Sequence, residues 1–193
     1  DDLIDEMTAT AEAMSKEHGR NNELSADEAK NLYRILALGA LKYFILKVDP
    51  QKNMLFNPEE SIDFNGNTGP FVQYTYARIR SIVRKAMEQH NIDAESVLCV
   101  DGLQITKKEK EIIKTIYEMP AIIQQAAANY SPAMVANYVY ELAKNFNSYY
   151  QDTPILKESD SNTMKFRVQL CNFVSKVIKN SMAVLGIEVP EKM

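Results

Sequence analysis

Apolar residues in this chain recur every three or four positions, segment after segment, and that period leaves room for little besides helices. Leu3, Ile4, Met7, Ala11 and Met14 form one stripe. Val135, Tyr138, Val139, Leu142 and Phe146 form another, and Phe166, Leu170, Phe173, Val174, Val177, Ile178 and Leu185 a third. Residues so spaced share one face of a 3.6-residue helix, whereas a half-buried strand alternates strictly. From 26 to 48 the pattern is denser: Leu32, Ile35, Leu36, Leu38, Leu41, Phe44 and Ile45 cover more than one face. That predicts a largely buried helix. No series of alternating segments competes, so the expected class is all-α.

Local chemistry marks the helix ends. Ser25-Ala26-Asp27-Glu28 and Thr106-Lys107-Lys108-Glu109 are capping boxes, in which the hydroxyl accepts the N3 amide and the Glu reaches back. Thr68-Gly69-Pro70 and Ser131-Pro132 pair an N-cap with a first-turn proline, whose missing N–H would have been unsatisfied anyway. Gly19 with Asn21 and Asn22, then Asp49-Pro50, Gln151-Asp152-Thr153-Pro154 and Gly186 are stops. Met119-Pro120 should kink or break the helix begun at 106, leaving a short helix over 121–128. The connector 49–69 is long, and such loops are often functional. Within it Ser61–Phe64 alternates and should be briefly extended. Residues 91–105 read as a loop or short helix.

Charge is segregated. The net charge of −4 argues against a generally basic nucleic-acid binder. Yet 64–87 contains no acid while holding Arg78, Arg80, Arg84 and Lys85, and 161–187 contains none while holding Lys165, Arg167, Lys176 and Lys179. These segments are either two solvated helix faces or two concentrations of positive potential. Tyr74, Tyr76, Tyr130, Tyr138, Tyr140, Tyr149 and Tyr150 lie in or beside helices with basic or amide residues. Tyrosines so placed either line the core boundary or stack on unpaired bases.

Catalytic patterns are missing. There is no Gly-rich phosphate loop, and His18 and His90 stand in no triad or metal-ligand spacing. Cys99 and Cys171 fit two buried thiols in a reducing compartment. No apolar run reaches membrane-spanning length, and the acidic start without Met predicts a chain that begins within a longer protein. The residues themselves point to an RNA-binding or protein-binding module.

One stretch narrows this. Gly66-Asn67-Thr68-Gly69-Pro70-Phe71-Val72-Gln73-Tyr74-Thr75-Tyr76-Ala77-Arg78-Ile79-Arg80-Ser81-Ile82 resembles the G-N/D-T-G-P-Y/F-x-Q-Y-x-x-A-R-x-x-S-I signature of arginyl-tRNA synthetases. Gly39-Ala40-Leu41-Lys42-Tyr43 is similar to that family's helix before its long loop. Leu185–Met193 is similar to its terminal L-G-I/L-x-x-P/V-E-R-M. The three matches run in order across nearly the whole chain.

The resemblance implies a helical bundle of the class I synthetase anticodon-binding (DALR) type over 65–193, preceded by a post-catalytic helical region and connector over 1–64. It implies arginine tRNA and the parent enzyme's catalytic domain as partners, with no DNA and no membrane, in the cytoplasm. ATP and Mg would serve the parent enzyme, with no cofactor and no catalytic residue in this part. By the same resemblance Gly66, Asn67, Thr68 and Gly69 meet the anticodon arm, and Gln73, Tyr74 and Arg78 follow on the matching helix. Arg78 and Lys85 share one face of it and Arg80 and Arg84 another, one to meet phosphates and the other to pack or pair. An aromatic contact to a base falls on Tyr150, with Tyr149 as the register alternative. An apolar neighbour falls on Ile155, and Met193 faces the anticodon loop. Two departures are visible: 160–167 is not a clean D-A-L-R, and Lys192 stands where Arg is usual, without Arg's bidentate fork. The competing reading is a helical protein-interaction domain that uses the same faces for a partner helix.

Overall fold

The computed structural model describes residues 2–17, 25–97 and 102–193. His18, Cys99 and the stop expected at 19–22 lie outside them. The described residues form seven helices and no strand: α1 (Asp2–Glu17), α2 (Ala26–Leu46), α3 (Pro58–Ile62), α4 (Gly69–His90), α5 (Lys107–Ala128), α6 (Pro132–Asp152) and α7 (Ser161–Val184). The all-α class follows the apolar period.

The caps form as the local sequence dictates. Both capping boxes close reciprocally, Ser25 with Glu28 and Thr106 with Glu109. Thr68 caps α4 by accepting the Phe71 amide at 3.2 Å. Ser131 precedes α6 without a side-chain cap bond, although Pro132 sits in the first turn as expected. The far end of α4 turns on Asn91, at φ 53°, a left-handed conformation Asn tolerates better than most residues. Gly186, at φ 68°, ends α7 in a Schellman turn. The Ile187 amide donates to Met182 O and the Gly186 amide to Ala183 O, both at 2.9 Å.

Two local expectations fail. Residues 61–64 are not extended, because Ser61 and Ile62 close α3. Inside the expected connector, Asn57-Pro58 is an N-cap with a first-turn proline, and the Asn57 side chain accepts the Glu60 amide at 3.3 Å. Pro120 does not break α5, which continues to Ala128. Ile112 and Ile116 before it, and Ile122, Ile123 and Ala126 after it, pack on the same core. Burial on both sides offsets the roughly 3 kcal/mol that an interior proline costs.

Two apolar cores meet along α2. Met7 and Ala11 of α1, Leu32–Ala40 of α2 and Ile62 of α3 build one. Helices α4–α7 and the tail 185–189 build the other, which Tyr43 of α2 enters. The Tyr43 hydroxyl lies 2.7 Å from Asn67 Oδ1 and 2.8 Å from Ala136 O, joining α2, the loop before α4, and α6.

The tightest contact is where α2 crosses the start of α4. A Cβ on Gly69 would lie 2.5 Å from the Gly39 carbonyl oxygen and 2.8 Å from its carbon. Gly39 in turn leaves room for the buried Gln73 side chain. Backbone cannot yield as a flexible side chain can. Gly69→Ala should therefore lower stability by about 1–3 kcal/mol, the usual range for overpacking, read as a lower urea midpoint with an unchanged m-value.

Candidate nucleic-acid interface

An open groove of about 1160 Å³ runs between α4 from Tyr74 to Gln89, the end of α6 and the α6–α7 connector, closed at one end by Lys192 and Met193. Its polar wall comes from one face of α4: Tyr74, Arg78, Ser81 and Lys85 are spaced by three and four. Opposite them stand Tyr150, Ile155 and Lys157. Ile155 is buried and gives this side an apolar floor.

Arg78 is held between two aromatic rings. Its guanidinium carbon lies 4.7 Å from the Tyr74 ring centroid and 5.3 Å from that of Tyr150. One guanidinium nitrogen donates to Asn147 Oδ1. The Asn147 amide donates back to Thr75 Oγ1 at 2.8 Å, latching α6 to α4. Tyr150 stacks on Phe146, with ring centroids 6.2 Å apart and planes 17° apart, and remains 39% exposed. The groove thus presents aromatic and cationic surface on a rigid support.

Of the two tyrosines left open by sequence, only Tyr150 reaches the groove. Tyr149 is fully buried, its hydroxyl donating to Glu109 Oε1 at 3.1 Å. Successive helix residues point about 100° apart, so one step in register separates core from surface. Tyr149 is therefore a core residue. Gln73 is corrected likewise. It is buried in the α2–α4 crossing and donates to Ile35 O at 3.1 Å and to Glu188 O at 2.8 Å, leaving it no path to RNA.

The loop 66–69 is a structural joint outside the groove walls. Gly66 is exposed at φ 99°, but Thr68 and Gly69 are buried. Asn67 is engaged by Tyr43, by Lys47 Nζ on its carbonyl at 2.8 Å, and with Asn137 at 3.3 Å. Its side chain ties elements together instead of facing outward.

The two basic segments meet different fates. On α4, Arg78, Arg84 and Lys85 line the groove. Asp152, the one acid among the lining residues, is paired with Lys108. Arg80 faces the tail, with Nε 2.8 Å from Glu191 Oε2 and Nη1 3.2 Å from Asn172 Oδ1. Arg84 does both, donating to Glu191 O at 3.1 Å while lining the groove. On α7 all four bases have partners within the fold. Lys165 donates to Val97 O at 2.5 Å, Lys176 lies 2.8 Å from Glu95, Lys179 lies 3.8 Å from Glu191, and Arg167 meets Glu109 and Glu158.

The tail is a clasp as far as Glu191. Ile187 and Val189 are buried, Lys42 Nζ holds Gly186 O at 2.5 Å, and the Tyr76 hydroxyl donates to Glu191 Oε1 at 2.5 Å. Burial tends to raise the Glu191 carboxyl, but Tyr76, Arg80 and Lys179 hold it below its ordinary value. Only Lys192 and half-buried Met193 continue to the groove, and Met193 also packs against the α1–α3 core.

Sequence reasoning missed Asn147 and Lys157. Asn147 sits on a helix side with its partner Arg78 69 residues away, and Lys157 lies in a connector with no period to read. His90 is exposed at the end of α4, and Cys171 is a buried free thiol whose titration burial pushes far up. Among the described residues no His, Cys, Asp and Glu group could hold a metal, and no helix is long and apolar enough to cross a membrane.

The groove belongs to a region with known relatives. A family model described as the DALR anticodon binding domain matches residues 72–193. An arginine–tRNA ligase of Flavobacterium psychrophilum is 53% identical over the whole chain, which spans 31% of that protein's length. The arginyl-tRNA synthetase of Thermus thermophilus superposes over the whole chain with a TM-score of 0.88 at 28% identity, and the chain covers 32% of it. The enzyme of Plasmodium falciparum gives a TM-score of 0.84 at 25% identity, again over the whole chain and 33% of its own length. The chain spans about a third of the length of each of these proteins.

Behind the groove, Glu109 is fully buried. Burial pushes its carboxyl up, but the Thr106 amide and hydroxyl and the Arg167 guanidinium outweigh that and hold it below the ordinary 4.5. A lowered folded-state value contributes stability that is full above the ordinary 4.5 and lost as pH falls from there through the folded-state value. Glu109→Gln should cost about 3 kcal/mol near neutrality by leaving the pair broken. Its stability should also fall less than wild type's on acidification from pH 5 to 3, as urea midpoints across that range would show.

Proposed function

The chain belongs to the DALR anticodon-binding domain family, and from that premise we propose that it is the anticodon-arm-binding part of an arginine–tRNA ligase, with arginine tRNA as its partner. The observation that carries this is the groove itself. Tyr150, Arg78 and Tyr74 stand together there with Arg84, Lys85 and Lys157, all inside residues 72–193, which the family model covers. An anticodon loop offers unpaired bases beside a bent phosphate backbone. Tyr150 is backed by Phe146 and has the Arg78 guanidinium over its ring, yet stays 39% exposed, so a base can stack on its accessible part or on the guanidinium. Arg84, Lys85 and Lys157 supply charge for phosphates, Ile155 gives apolar contact beneath the base, and Met193 closes the end.

In this reading residues 65–193 are the recognition domain and residues 1–64 are the helical region and connector that join it to a catalytic domain. Gly66–Gly69 and Gln73 serve it by fixing α4, and Arg80 by holding the tail. The intact enzyme would attach arginine to tRNA using ATP and Mg in the part of the relatives that this chain does not span, in the cytoplasm. This chain alone would bind without activating arginine.

The test is binding of anticodon stem-loop RNAs across a salt series. An arginine anticodon stem-loop should bind more tightly than unrelated ones, and equal affinity for all would end the specificity claim. Tyr150→Ala should weaken binding by about 1–3 kcal/mol, the usual worth of one stacked base. Lys85→Gln should weaken all sequences alike and reduce the salt slope by about one.

A further inference from the structure

We infer that Arg167 is a positioning residue for the groove, acting on a bound base through Tyr150 and Ile155 without touching RNA itself; the inference rests on the RNA-binding reading above. In sequence Arg167 belongs to an acid-free basic run and looks available to phosphates. In the fold it is 8% exposed and forms no part of the groove walls.

One guanidinium joins three elements. Nε donates to Glu109 Oε1 of α5 at 2.9 Å. Nη1 donates to Pro154 O at 2.9 Å and to Glu158 Oε2 at 2.6 Å, both in the α6–α7 connector. Glu109 Oε1 also accepts the Tyr149 hydroxyl at 3.1 Å, and its other oxygen accepts the Thr106 amide at 2.7 Å. The groove residues are the chain neighbours of those so held. Tyr150 follows Tyr149 in the last turn of α6. The Pro154 carbonyl belongs to the planar peptide unit that carries the Ile155 nitrogen, so holding that oxygen orients the unit from which Ile155 hangs.

Ile155 and Leu156 pack on the core, and Arg167 adds polar fastening to the connector. Pro154 has no amide to donate. Glu158 draws the rest inward, accepting the Ser159 amide at 2.8 Å and the Asp160 amide at 3.2 Å while it pairs with Arg167. Lysine could not reproduce the arrangement, since a point charge lacks the fork that reaches Glu109 and the connector together.

Two variants of the 193-residue chain test this. Arg167→Lys removes the fork. Glu158→Ala removes the carboxylate half of the connector arm, leaves Pro154 O as its one remaining hold on Nη1 and keeps the buried Glu109 pair, so it carries the test if Arg167→Lys does not fold. If the competent arrangement falls to about a tenth of the population, stem-loop affinity should fall about tenfold. The salt slope should not fall, and in a Tyr150→Ala background the same substitution should cost less than about twofold, because the two share one route. The Ile155 methyl signal of the RNA-free chain should shift or split. A slope reduced by about one would mark Arg167 as a phosphate contact and overturn the proposal. Full additivity with Tyr150→Ala, or an unmoved Ile155 signal, would also overturn it. If the unaltered chain binds no stem-loop, the RNA reading fails separately, and the Ile155 signal alone then decides whether Arg167 positions the groove.

Discussion

Everything that positions the groove depends on how closely α2 and α4 approach. Gly69 removes the Cβ that would strike the Gly39 backbone, and Gly39 removes the one that would strike the Gln73 side chain. Into that contact comes Gln73, whose amide nitrogen bridges the carbonyls of Ile35 and Glu188. The crossing fixes where α4 begins and how it is rotated. That rotation turns Arg78, Ser81 and Lys85 toward the groove and Arg80 toward the tail. A wider crossing would unseat the tail, and with it the Glu191 contacts that steady Arg80 and Arg84.

Charge is used in two opposite ways on either side of this frame. The α7 bases sit against Glu95, Glu109, Glu158, Glu191 and the Val97 carbonyl. Three of the four thereby meet carboxylates where they stand, and Lys165 meets a carbonyl. The α4 bases are left partly uncompensated along the groove, and the one lining acid is paired with Lys108. An acidic chain with net charge −4 can therefore present one positive strip. Local arrangement, not overall balance, sets what such a surface attracts.

How much of this could be read in advance follows from the range of each interaction. Capping boxes at Ser25 and Thr106 join residues three apart, so sequence shows them whole. Helix faces repeat within a few turns, so α1, α2, α4, α6 and α7 and the split between Arg78 and Arg80 were legible. Asn57 hid as a turn residue, since capping and turning use the same chemistry. Pro120 was misjudged because packing on both sides of it is a tertiary effect. The choice between Tyr149 and Tyr150 required knowing which face of α6 meets Glu109, 40 residues away. Arg167 looked like an exposed base because its partner Glu109 lies 58 residues upstream. The resemblance brought Tyr74, Arg78, Arg84, Tyr150, Ile155 and Met193 to one groove, but it carried Gln73 and Thr68 along with them. A motif records which positions matter together without separating those that face a ligand from those that hold the frame.

The clasp made by residues 186–191 has a consequence for the order in which the chain can fold. Lys42 meets Gly186 across 144 residues, and Gln73 meets Glu188 across 115. Contacts so distant form only after the intervening helices have condensed, because closing long loops is entropically unfavourable and slow. On a ribosome, α2 and α4 emerge long before the segment that locks them. The cleft between them stays unfilled until that segment arrives, and the strip of positive charge takes its final shape last. Synthesis order thus separates the making of the helices from the making of the groove.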